Sequence, residues 1–430
     1  MNNHSVGESL VRKRGEGWPK RLNLVILFFT SNLICYMDRF NIAVTAPVIM
    51  KDLGWDEAVL GVILSSFFWG YTLLQIPGGW LADRFGGKKV LGIGVLWWSL
   101  FTMLTPMART VSQMAMVRAL MGLGEGVNFP SIQSLTSRWI PTHERSRVMG
   151  FTLSGISVGN IVAFPLATWI MTYWGWQWVF FIFGVVGFIW CLFWMVLAAN
   201  SPEEHHTIHP PELAYIKAYR PVLSPLHTIP WKTLLSKVQV WSLVINHFCV
   251  SWGFFMFLTW LPTYLVKAHG FSIKEMGIYA TLPYLAMVIG SNGSGWLADY
   301  WIKRTGNITR IRKVFHTISL LSASAFLILL AQAETKVLVL ALVTLALGML
   351  SITGSTTGPN AMDIGPRYAG IIMGMQTTAG NIAGIIVPLV VGLIVSLSGR
   401  WDLIFYIAAG ILIFGAMVWN MFTTGRQILE

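Results

Sequence analysis

Asp38 and Arg39 stand side by side in one apolar run, and Arg118 and Glu125 stand seven positions apart in another. Every other Asp, Glu, Lys and Arg can be assigned to a loop or to a helix end. A charge at mid-membrane costs about 2.5–3.5 kcal/mol on insertion scales, so these four need an interior, partly hydrated and mutually compensating setting. Their formal charges cancel. Carboxylates there can take up and release protons, and guanidinium groups can hold an anion through paired donors. Arg118 and Glu125 fall on one face of a helix, about 10 Å apart along its axis, a gap that flexible side chains largely close. All four charges lie in the first half of the chain, which leaves the second half to supply neutral polar groups.

Such groups are present. Tyr71 lies in the second apolar run, Ser351 and Thr353 in the tenth, and Gln376, Thr377, Thr378 and Asn381 in the eleventh. With Tyr36, one turn or less from Asp38 and Arg39, they can line a central cavity that binds hydroxyls and carboxylates. Gly122, Gly124 and Gly126 surround Glu125, and Gly155 and Gly159 follow in the fifth run, where small residues permit close helix contact and sliding.

The elements that must hold these groups are membrane helices. Hydrophobic residues make up 55% of the chain and charged residues 11%, against roughly 25% charged in an average soluble domain. Runs long enough to cross a hydrocarbon core of about 30 Å occur near 22–48, 58–82, 89–108, 112–136, 148–172, 177–199, 239–264, 276–300, 314–332, 336–361, 369–396 and 401–423. The chain is therefore an all-α membrane protein of twelve transmembrane helices. The string G-G-W-L-A-D-R at 78–84 returns as G-S-G-W-L-A-D at 293–299, with Trp80/Trp296 and Asp83/Asp299 each 216 positions apart in a chain of 430. An offset of half the chain marks two related six-helix halves, an arrangement typical of secondary transporters. The expected organisation is an N-terminal segment 1–21, a first half 22–199, a linker 200–238, a second half 239–423 and a tail 424–430.

Lys and Arg set the orientation. Arg12, Lys13, Arg14, Lys20 and Arg21, then Arg84, Lys88 and Lys89, then Arg138, Arg145 and Arg147, with clusters at 217–237 and 303–313, fall on one side; only Lys51, Arg109, Lys267, Lys274, Lys336 and Arg400 fall on the other. Both termini are expected in the cytoplasm of a multi-pass cell (inner) membrane protein, with no cleaved signal peptide. The net charge of +12 follows from this bias and from contact with anionic lipid, so no nucleic-acid partner is expected. His205, His206 and His209 in the proline-rich linker (prolines at 202, 210, 211, 221, 225 and 230) lack the Cys or carboxylate partners of a metal site. Cys35, Cys191 and Cys249 all lie inside apolar runs and suggest no disulfide. G-x-S-x-G, H-E-x-x-H and P-loop strings are absent, which argues against an enzyme and against any cofactor. A receptor would be expected to carry a sizeable soluble signalling domain, and a monomer is expected.

Several strings carry a family resemblance. G-G-W-L-A-D-R-F-G-G-K-K (78–89) resembles the loop between the second and third helices of the major facilitator superfamily. I-C-Y-M-D-R-F-N-I-A-V (34–44), W-G-Y-T-L-L-Q-I-P-G-G-W (69–80), R-A-L-M-G-L-G-E-G-V-N-F-P (118–130), S-R-W-I-P-T-H-E-R-S-R (137–147) and F-L-T-W-L-P-T-Y-L (257–265) are similar to its anion:cation symporter family. The loop string is generic for the superfamily; the D-R pair joined to R-x6-E is more specific. The resemblance implies the major facilitator fold and proton-coupled import of an organic anion (carboxylate, sugar acid or sulfonate), with a sodium-coupled or exchange-type carrier, phosphate included, as the alternative. It implies proton-coupling roles for Asp38 and Glu125, an anion-facing role for Arg39, a partner role toward Glu125 for Arg118, a cavity tyrosine at Tyr71, and loop positions controlling closure at Asp83 and Arg84. The galactonate-type branch has a glutamine, a tryptophan and an asparagine where this chain has Ile156, Gly354 and Thr377. Those positions contact sugar hydroxyls in that branch, so a smaller organic acid or sulfonate fits this chain better.

Overall fold

A computed structural model describes residues 18–220 and 230–429. No β-strand occurs among the described residues. The first half comprises α1 (Lys20–Leu53), α2 (Glu57–Phe85), α3 (Gly87–Leu104), α4 (Val111–Glu125), α5 (Asn128–Trp139), α6 (Arg145–Trp174) and α7 (Trp176–Leu197). Between the halves lie α8 (Pro210–Tyr219) and α9 (Trp231–Ser236). The second half comprises α10 (Val238–His269), α11 (Ile273–Tyr279), α12 (Leu282–Thr305), α13 (Ile308–Leu330), α14 (Lys336–Leu350), α15 (Thr357–Ile364), α16 (Ala369–Ser398) and α17 (Asp402–Phe422). Arg12, Lys13, Arg14, Pro221 and Pro225, named above, lie outside the described residues.

Helices occupy all twelve expected places, and ten helical stretches are long and apolar enough to cross a membrane. The other two places are the broken fourth run, α4 and α5, and the glycine- and serine-rich eighth, α11 and α12. Three runs expected to be continuous are interrupted: 112–136 after Glu125, 276–300 between Tyr279 and Leu282, and 336–361 by the 3-10 turn Ser351–Ser355. Gly126, Tyr279 and Ser355, at or beside the three breaks, each stand four residues before a proline, Pro130, Pro283 and Pro359, whose missing N–H cannot continue the helical ladder. The carbonyl of Ser355, orphaned in this way, accepts a bond of 2.6 Å from Arg312 Nη1.

The string at 78–89, expected as a loop, is mostly helix. α2 runs through Phe85, and the single residue Gly86, with φ at 91°, turns the chain into α3. Asp83 and Arg84 therefore belong to the last turn of α2. The stretch between the halves is also more ordered than a plain linker. Glu212 of α8 accepts the backbone N–H groups of Lys20 (2.9 Å) and Arg21 (3.1 Å), satisfying the first turn of α1 and fixing α8 to the first half.

The two halves share a single core at one end only. There Phe40, Phe68, Phe164, Trp260, Tyr284 and Val387 belong to one buried cluster. α2 and α16 nearly touch: a Cβ on Gly61 would come within 2.5 Å of the Pro388 carbonyl, and one on Gly392 within 2.5 Å of that of Glu57. Lys267 pairs with Glu57 at 2.7 Å, Ser396 donates to Asp56 at 3.1 Å, and Ser65 donates to the Ile385 carbonyl at 2.7 Å, all across the halves. At the Lys/Arg-rich end the cores are separate, one around Leu24, Leu135, Trp139 and Trp194 and another around Leu243, Ile364, Ile372 and Trp419. The molecule is thus closed at one end and parted at the other.

Candidate functional site

α1, α2 and α4 bring the charged residues together at mid-height. α2 and α4 approach to near backbone contact, because a Cβ on Gly122 would lie 2.0 Å from the Phe67 carbonyl and one on Gly70 1.8 Å from that of Ala119. This contact delivers Phe67 and Tyr71 from α2 to the level of Arg118 and Glu125. Asp38, Arg39, Arg118 and Glu125 are all buried.

Arg39 donates from Nε (3.1 Å) and Nη2 (2.8 Å) to Oε2 of Glu125, joining α1 to α4. The Cys35 thiol donates to the same oxygen at 3.1 Å. Three rings surround the Arg39 guanidinium: Tyr36 at 4.5 Å, Tyr71 at 4.6 Å and Phe67 at 4.8 Å. Such cation–π contacts hold a guanidinium in place without neutralising it. The expected pairing of Arg118 with Glu125 does not occur. They stand seven positions apart on the helix, and Arg118 lies over Phe67 at 5.1 Å while donating to Met121 Sδ at 3.0 Å. Arg118 is in no ion pair among the described residues, and neither Asp38 oxygen has a hydrogen-bond partner there. Oε1 of Glu125 is likewise without a partner. The arrangement is one ion pair flanked by a carboxyl group without a hydrogen-bond partner and a guanidinium group in no ion pair among the described residues.

The second half contributes less than expected. Ser351 donates to the Gly348 carbonyl and Thr353 to that of Leu350, both at 2.7 Å and both back to the last turn of α14, and Thr377 donates to the Met373 carbonyl at 2.8 Å. Their hydroxyls are engaged locally, although each oxygen can still accept. Gln376 is buried with its Nε2 unpartnered. Gly354 is exposed with nothing within 4 Å of its Cβ position, so the space that a tryptophan would fill is open. Asp83 accepts from Ser134 at 2.7 Å, and Arg84 lies 5.1 Å from the Trp80 ring. Both are exposed at the parted end, away from the charged cluster.

Three residues were not singled out from the sequence. Gln75 accepts from Asn381 across the halves, between α2 and α16, on the parted side of the shared core. His247 of α10 lies against Gly380 of α16. His316 of α13 is fully buried, bonded to Thr356 (2.8 Å) and Asn246 (3.0 Å) and stacked 3.9 Å from the Trp419 ring. A search confined to Asp, Glu, Lys and Arg passes over histidines, so the second half does carry buried titratable groups.

Known proteins agree with this architecture. The model of the Major Facilitator Superfamily matches residues 28–388. The ascorbate transporter of Arabidopsis thaliana chloroplasts is 40% identical over 96% of this chain and 76% of its own length. The sodium-dependent phosphate transport protein 1 of the same organism is 38% identical over 100% of this chain and 85% of its own. Among solved structures, a bacterial homologue of the human lysosomal transporter Spinster, in an inward-facing and occupied conformation, superposes with a TM-score of 0.79 at 16% identity, covering 94% of this chain and 97% of that one. At that identity the likeness concerns the fold alone.

Proposed function

The chain belongs to the Major Facilitator Superfamily, a family of transporters and not of enzymes, and on that footing we propose that it carries an organic anion together with protons by alternating access. The observation that carries the reading is the Arg39–Glu125 pair, buried beside Asp38, which has no hydrogen-bond partner among the described residues, and Arg118, which is in no ion pair there. A proton on Glu125 removes the negative charge that occupies Arg39, and the three rings keep the guanidinium in place for an incoming carboxylate or sulfonate. A proton on Asp38 leaves further net positive charge nearby. The anion then joins the halves through Arg39 on one side and Gln376 on the other, and the shared core parts while the separate cores meet.

In this reading the parted, Lys/Arg-rich end faces the cytoplasm of a cell (inner) membrane, and both termini lie on that side. One charge moved across 100 mV is worth about 2.3 kcal/mol, roughly fiftyfold in concentration. A monoanion entering with two protons is therefore concentrated by the potential, and one entering with a single proton is not. Likeness to an ascorbate transporter supports an organic acid as the class of anion, although ascorbate is itself a six-carbon acid, so the preference for shorter acids rests on Ile156 and Gly354 alone. The phosphate relative supports a second reading, sodium-driven phosphate transport.

Reconstitution into liposomes, with pH and sodium gradients imposed separately, tests both readings. Proton-driven uptake of a labelled acid is expected, with short dicarboxylates, sulfonated acids or aromatic acids competing better than six-carbon sugar acids. The open space at Gly354 and the apolar Ile156 leave a chain of hydroxyls short of partners, which weakens binding. Uptake that follows only sodium and is blocked only by phosphate overturns the proposal in favour of the second reading. A galactonate-like acid outranking every short acid overturns the size argument.

A further inference from the structure

We propose that the cleft between the α12–α13 turn and the C-terminal tail binds the phosphate of an anionic phospholipid. The cleft measures about 990 Å3 and is lined by Arg310, Lys313 and Arg426. None of the three is in an ion pair among the described residues. Arg310 and Arg426 are exposed, and their guanidinium groups make no hydrogen bond to the described residues. Lys313 gives one proton to the Asn420 carbonyl at 2.6 Å and keeps two more donors. Three cations with no ion-pair partner among the described residues, gathered around one cavity, are a receptor for an anionic phosphate.

The tail that brings Arg426 there is built into the fold. Gly425 N–H donates to Thr309 at 2.8 Å, Asn360 donates to the Thr424 carbonyl at 2.8 Å, and the Ile428 and Leu429 N–H groups both reach the Ile364 carbonyl. A Cβ on Gly425 would lie 2.7 Å from Ile308 Cγ2, so only glycine lets the tail sit against α13 this closely. The corresponding junction of the first half is the single residue Gly86, whose Cβ position is covered by Asn200.

Two features select a lipid over a free anion. Tyr300 and Trp301, exposed just before the turn, with Arg304 lying 5.9 Å from the Trp301 ring, are the residue types that sit at headgroup level. Val314 lines the cleft, and Ile318, one turn further along α13, continues an exposed apolar row on which an acyl chain can lie.

The test uses the purified full chain in neutral detergent, with bound lipid counted by native mass spectrometry. Phosphatidylglycerol and phosphatidylcholine of matched acyl chains are the probes, and inorganic phosphate is the third arm. Phosphatidylglycerol should be retained preferentially. The triple variant R310Q/K313Q/R426Q should lose about a hundredfold of that preference, at about fivefold for each cation near an anionic surface. A control, K51Q/K274Q at the opposite end, should keep it. If the triple variant does not fold, the single variants R310Q and R426Q carry the test with a loss of about fivefold each. Equal retention of the two lipids by the parent, or a parent-like preference in the variants, overturns the site. Displacement of phosphatidylglycerol by millimolar inorganic phosphate overturns the lipid assignment.

Discussion

Replacing Glu125 by Gln tests whether the substrate and Glu125 compete for Arg39. In the parent, Glu125 Oε2 accepts two bonds from Arg39, at 2.8 and 3.1 Å, and one from Cys35. An anion that takes Arg39 must displace that carboxylate. Separating a buried pair of this kind costs about 3–5 kcal/mol. The amide of Gln can still accept one bond from the charged Arg39, which is worth about 2 kcal/mol. Taking about 4 kcal/mol for the first term, the remaining penalty relieved by the substitution is about 2 kcal/mol, or roughly thirtyfold in affinity at 1.4 kcal/mol per tenfold. The cage of Tyr36, Phe67 and Tyr71 keeps Arg39 positioned after its carboxylate partner is gone. Calorimetric titration of the purified protein between pH 5 and 8, with the acid selected by the uptake panel, reads the effect. The parent should bind more weakly as pH rises, because deprotonated Glu125 reclaims Arg39. The variant should bind roughly thirtyfold more tightly than the parent at pH 8, with little pH slope, and should no longer couple uptake to a pH gradient. Parent-like affinity at pH 8, or a retained pH slope, refutes the competition.

Other substitutions separate the remaining roles. Asp38→Asn should abolish accumulation driven by a pH gradient while counterflow exchange of labelled anion persists in proteoliposomes; undiminished accumulation removes Asp38 from the proton path. Arg39→Lys keeps the charge but loses the planar fork that now donates twice to one oxygen, so anion affinity should fall at least about tenfold; parent-like binding shows that charge alone suffices. Gly392→Ala sets a Cβ 2.5 Å from the Glu57 carbonyl, where ordinary contact begins near 3.4 Å, so α2 and α16 must part by nearly an ångström at the closed end. A cysteine introduced at Ser396 should then react faster with an impermeant maleimide, and unchanged labelling shows that this contact does not hold the end shut.

Much of this protein is legible in its sequence because the bilayer imposes local constraints. Length and apolarity mark the places of all twelve helices, and the repeat of W-L-A-D half a chain apart marks the two halves. The penalty on buried charge isolates Asp38, Arg39, Arg118 and Glu125 with no knowledge of their neighbours. Continuity of the helices is less legible. Pro47, Pro77, Pro165, Pro262 and Pro388 are absorbed within helices, whereas Pro130, Pro283 and Pro359 stand just after breaks, and at the last of these Arg312, distant in sequence, satisfies the freed Ser355 carbonyl.

Only the tertiary structure decides which charges meet. Spacing along one helix points Glu125 at Arg118, yet the glycine contact between α2 and α4 puts Phe67 beside Arg118 and leaves Glu125 to Arg39 of α1. The bond between Gln75 and Asn381, 306 positions apart, and the burial of His316 beneath Trp419 likewise have no local signal. Nor does any string of residues specify that one end shares a core while the other is parted. That choice is a balance between two packings of the same helices, and pairwise contact between distant segments sets it, not the pattern along any one of them.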